Sequence, residues 1–184
     1  MKKKENIILR SLKGLSYGLA AWLMCLVVGI SSSALVSFHF MFKFMTGLCT
    51  AAITLGLYFN WTYYACKRDK DAVKFRSAEY DRLMPVKMAA AAPAPSYIML
   101  AALYLMKLGI IKDRFAFYLF FNIWIKPFAD MFAEQPLPIE SVPWVGVLGI
   151  TFLILLQPAV ITATYLLTYH DIDVYKLLFF NNKP

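Results

Sequence analysis

The sequence predicts an all-α integral membrane protein: a four-helix transmembrane bundle, both termini cytoplasmic, with an aromatic-rich interfacial helix on the outer side. Hydrophobic residues make up 60% of the chain and charged residues only 16%, against about 25% charged in a soluble domain. The charges gather between long apolar runs, as in a chain dissolved in lipid. Basic residues are also divided unequally among the connections, which carries the orientation.

The chain reads as a single membrane domain. Its first apolar run, Leu15 to about Phe38, follows the Lys-rich start MKKKENIILRSLKG. A cleavable signal would end near SSSA at 31–34, but the apolar run continues through LVSFHFMF, so an uncleaved spanning helix is expected. The second span covers about 44–66, and HFMFK at 39–43 makes the first two an antiparallel hairpin. The third covers about 88–109 and the fourth about 142–168. Each reaches the length of about 20 helical residues that crosses the hydrocarbon. Helices are expected because lipid offers no partner to backbone polar groups and no segment alternates like a barrel strand.

Between spans three and four, the outer segment 112–135 contains RFAFYLFFNIWIKPFADMF. Its uninterrupted apolar part, 115–125, is too short to cross as a helix at about 1.5 Å per residue. A helix over 115–125 lying in the interface is expected, with Phe117, Phe120, Phe121 and Trp124 on one side toward lipid or a partner and Pro127 ending or kinking it. The rival is a re-entrant hairpin. That would take Lys126 and Asp130 to depth, where their i, i+4 spacing lets them pair.

Fourteen of the basic residues fall in the N-terminal segment, the 67–87 loop and the tail. Lys43, Lys107, Lys112, Arg114 and Lys126 fall on the other side. Four spans place the richer side in the cytoplasm, and a fifth span through 114–125 would invert the last helix. The Lys-rich start and small loops suit a bacterial plasma membrane.

The four spans contain no Asp or Glu, which weighs against autonomous proton- or sodium-coupled transport. Asn60 near the inner boundary of span two suits an interhelical amide bond or a ligand site. MAAAAPAPSYIML at 88–100 reads first as a helix start with Pro95 in the first turn, and otherwise as a broken helix lining a site. Gln157-Pro158 lies mid-span four, where proline frees a carbonyl near Ile154; with Thr162 these residues are the candidate polar or ligand-lining group. GLCTA at 47–51 and AITLG at 52–56 have the small-xxx-small spacing of close helix contact, within the chain or with a partner.

Lys70, Lys74 and Arg76 of the mixed-charge 67–87 loop, with Trp124 outside, are the candidate lipid contacts, although a solvated extension of span two serves equally for the loop. His170 and Asp173 share a helix face, but His39 is expected across the membrane, so no metal site is expected. Cys25, Cys49 and Cys66 lack metal or redox spacing and read as structural thiols. No catalytic residues and no cofactor are expected, since no phosphate loop, nucleophile elbow or zinc motif appears. The expected partners are membrane lipids and a membrane-protein partner or second copy, not nucleic acid. Function follows as a non-catalytic accessory or subunit of a membrane complex; the alternatives are a small-molecule-binding or transport component and, third, an intramembrane enzyme.

Overall fold

Seven α-helices account for most of the described residues in a computed structural model, which describes residues 7–36, 40–76, 81–132 and 138–172. They are α1 (Ile7–Val36), α2 (Phe40–Arg76), α3 (Met84–Ala91), α4 (Ala94–Lys107), α5 (Phe115–Phe121), α6 (Lys126–Phe132) and α7 (Trp144–Tyr169). A single 3-10 turn, Ile139–Ser141, precedes α7. Three helices are long and apolar enough to cross a membrane, or four if the bent pair α3–α4 counts as one.

The α1–α2 pair is antiparallel: Arg10 meets Asp69, and Cys25 meets Thr54. α7 runs parallel to α2 instead, with the Cys66 thiol donating to the Tyr165 carbonyl and Lys70 reaching the Thr168 carbonyl. α7 is apolar all round. Val147, Ile150, Ile154 and Ile161 point inward, while Val145, Leu148, Phe152 and Leu155 are exposed. An outer face that apolar belongs in hydrocarbon rather than in water.

The segment expected as the third span is two helices rather than one capped helix. α3 and α4 meet at a 56° bend, with Pro93 at the α4 N-cap and Pro95 in its first turn. Pro93 has no N–H to give the carbonyl of Ala89 one turn earlier. The Tyr97 hydroxyl takes that place, donating to the Ala89 carbonyl at 2.8 Å. The freed backbone acceptor is satisfied inside the chain.

Two helices stop by the same device. Gly109 at φ 71° and Asp171 at φ 63° follow the last residues of α4 and α7. Ile110 N–H bonds the Leu105 carbonyl and Ile172 N–H the Leu167 carbonyl, the six-to-one bond of a Schellman stop. Glycine adopts this left-handed conformation freely, and aspartate tolerates it better than most side chains.

The expected helix over 115–125 is corrected. α5 ends at Phe121, Asn122 leaves helical geometry at φ −109° and ψ 47°, and α6 begins at Lys126. Pro127 falls in the first turn of α6, where its missing N–H costs nothing, so it starts a helix instead of ending one. Phe117, Phe120 and Phe121 are exposed as expected, but the turn swings Trp124 inward to 5% exposure. Trp124 is therefore not a lipid contact.

Candidate functional site

The described polar groups collect in three places, each built by helices far apart in sequence. At one end, Arg10 of α1 forms a two-pronged ion pair with Asp69 of α2, one prong at 2.6 Å. The Tyr165 hydroxyl of α7 donates to the same carboxylate at 2.6 Å. Arg10 is 6% exposed, so three helices converge on one largely buried charge pair. Both side chains are largely out of water, and their pairing offsets part of the desolvation. Beside it Lys70 donates to the Asp171 carboxylate and to the Thr168 carbonyl. The Lys70 ammonium holds the exposed Asp171 carboxyl below the usual carboxylate range.

The second cluster holds the α5–α6 hairpin against the bundle. The Thr50 hydroxyl donates to the Trp124 carbonyl at 2.8 Å. The Trp22 indole N–H donates to the Phe120 carbonyl at 3.0 Å. Phe128 of α6 sits where a side chain on Gly47 would stand, its ring within 2.9 Å of that position. Lys126 and Asp130 pair, as their spacing allows, and Lys43 donates to the Asp130 carbonyl at 3.1 Å.

The third is a clasp at the opposite end. Lys107 donates to the carbonyls of Ile139, Glu140 and Val142 at 3.1, 2.8 and 2.7 Å. Asp113 accepts from the backbone N–H groups of Phe115 and Ile139, both at 2.8 Å. Together they tie the end of α4 to the start of α7.

The predicted site residues are not gathered into one site. Asn60 is half-buried on α2, and Pro158 and Thr162 are half-buried on α7. Gln157 is buried at 2% exposure. Five residues separate Gln157 from Thr162, about 140° apart at 100° per residue, so they leave different sides of α7. The stripe that Gln157 does share is Ile150, Ile154, Ile161, Thr164 and Thr168, all buried. Its Oε1 and the hydroxyls of Thr62 and Thr168 have no hydrogen-bond partner among the described residues. Lys74 lies over the Phe75 ring at 5.3 Å, while the Arg76 side chain, His39 and Asp173 fall outside the described residues.

Sequence reasoning missed the Arg10–Asp69–Tyr165 cluster. It was legible as a continued stripe, since Tyr58, Thr62, Ala65, Cys66 and Asp69 recur at helical spacing. Taking α2 to end near Cys66 removed Asp69 from that face.

The small-residue motifs divide between two surfaces. Gly47 faces Phe128 inside the chain, whereas a Cβ on Gly56 would meet nothing within 4 Å. Ala52 and Cys49 are exposed with Gly56. No family model matches the chain, and no curated protein or solved structure is similar to it.

Proposed function

We propose that this protein is a non-catalytic subunit or accessory protein of a membrane complex, receiving a partner's transmembrane helix on the Cys49–Ala52–Gly56 face of α2. The observation that carries it is the split of the small-residue motifs. Gly47 is used to seat α6, but Gly56 has open space around it. Glycine and alanine in a spanning helix lower the barrier to close backbone approach, which drives helix association where lipid supplies no hydrophobic force. Ala52→Leu with Gly56→Leu is expected to abolish co-purification of a stoichiometric partner in mild detergent, and to change the melting of the isolated chain by no more than about 0.5 kcal/mol. Retention of the partner by the double variant would overturn the subunit reading. So would the absence of any partner around the wild-type chain.

The topology proposed with it has four spans, α3–α4 counting as one, in a bacterial plasma membrane with both termini cytoplasmic. The basic asymmetry supports that orientation. The α5–α6 hairpin is then re-entrant, entering and leaving on the outer side. Trp22 stands midway along α1 and Thr50 lies within the apolar part of α2, and both bind the hairpin's backbone. With native cysteines replaced, Asp71→Cys is expected to resist an impermeant thiol reagent in intact cells. Rapid labelling from outside would reverse the orientation.

A small-molecule-binding role is the second reading. A groove beside α5 favours it.

A further inference from the structure

Between α4 and α5 the chain leaves an open groove of about 320 Å³. Met99, Ala102 and Met106 of α4 line one wall, and Phe117 and Tyr118 of α5 line the other. The α4 residues recur at i, i+3 and i+7, so they form one continuous apolar strip about 10 Å long. Ala102 provides the width. At the groove's end the lining changes character, to Lys112 and Arg114.

Both cations are exposed, and neither forms an ion pair among the described residues. The carboxylate between them in sequence, Asp113, is committed to the N–H groups of Phe115 and Ile139. Arg114 is held at the end of α4 by its own backbone N–H, which donates to the Met106 sulfur at 3.2 Å. The cations therefore sit on a fixed loop at the head of an apolar strip. Inside the groove wall, Tyr118 is 1% exposed and its hydroxyl has no hydrogen-bond partner among the described residues. A buried phenol in that condition normally finds an acceptor.

We propose that this groove binds an acidic membrane phospholipid, with an acyl chain along the α4 strip and the phosphate on Lys112 and Arg114. Charge complementarity selects the headgroup, and the apolar wall selects a chain over a water-borne anion. The site is independent of the α2 partner face: it lies on other helices and requires only that the chain be in a membrane.

The test uses the full chain in phosphatidylcholine nanodiscs, with a trace of photoactivatable phosphatidylglycerol or of phosphatidylcholine carrying the same chain. Crosslinks are mapped by peptide, which separates α4–α5 from the basic 67–87 loop. Phosphatidylglycerol is expected to label the α4–α5 peptides at least about fivefold more than phosphatidylcholine. K112Q with R114Q should remove that preference while leaving the phosphatidylcholine signal, which also reports that the variant is folded. Ala102→Phe should lower labelling by both lipids. Equal labelling by the two headgroups would overturn the proposal, as would a preference that survives K112Q with R114Q. Complete competition by inorganic phosphate would also overturn it, by showing a site for a water-borne anion.

Discussion

Asp69→Ala is expected to destabilise the protein by about 3–5 kcal/mol, read as a lowered midpoint of thermal unfolding in mild detergent. The cost comes from what remains, not only from what is lost. Arg10 has a side chain only 8% exposed, so removing Asp69 takes from a largely buried guanidinium the carboxylate that two of its nitrogens hold. The Tyr165 hydroxyl loses its acceptor in the same step. Arg10→Met combined with Asp69→Leu removes both charges and is expected to recover most of the loss, because a well-packed apolar pair avoids the desolvation penalty. Added salt should barely change the wild-type midpoint through this pair, since buried charges are weakly screened. An Asp69→Ala protein that melts with wild type would show that the three helices are not joined through Asp69.

The second large effect is expected at Gly14, where α1 crosses α2 and α3. A Cβ on Gly14 would stand 2.7 Å from the Ala92 Cβ and 2.8 Å from the Trp61 ring. Ala92 and Trp61 are 1% and 3% exposed, and an alanine Cβ cannot rotate away. Gly14→Val is expected to cost about 1–3 kcal/mol as α1 is pushed off its neighbours. Gly56→Val is the control: a Cβ there meets nothing within 4 Å, and its effect on the isolated chain should stay within about 0.5 kcal/mol. Equal midpoints for the two variants would mean that α1 has room to shift at Gly14.

The two variants also mark where sequence reasoning stops. Gly14 stands at the threshold of the first apolar run and Gly56 lies within the second, and neither is marked in the sequence as filled or open. One is filled by Ala92 and Trp61, and the other is open. A missing side chain says that something can come close, and only the packing says whether anything does.

Local chemistry was enough for several features. Apolar runs long enough for a bilayer mark α1, α2 and α7, because length and transfer energy are properties of a segment by itself. Proline at 93 and 95 marks a bend for an equally local reason, the missing N–H and the ring clash one turn back, whereas Pro127 begins α6 instead of ending a helix. Whether such a break is an exposed site or a satisfied bend was not local. The Tyr97 hydroxyl decides it by capping the Ala89 carbonyl.

Tertiary structure alone decided the roles of Arg10, Asp69 and Trp124. Arg10 and Asp69 are 59 residues apart, and their pairing depends on the register of two helices, which no spacing within either helix encodes. Asp69 belongs to a charged stretch that reads from sequence as a loop or equally as a solvated helical extension of span two; α2 does extend through it to Arg76, and its inward face continues past Cys66 to Asp69. Trp124 follows an aromatic face that points outward, but the turn at Asn122 reverses it, and Thr50 from another helix then binds its carbonyl. Hydropathy depends on which residues occur; burial of a charge or an indole depends on which distant residue is brought against it.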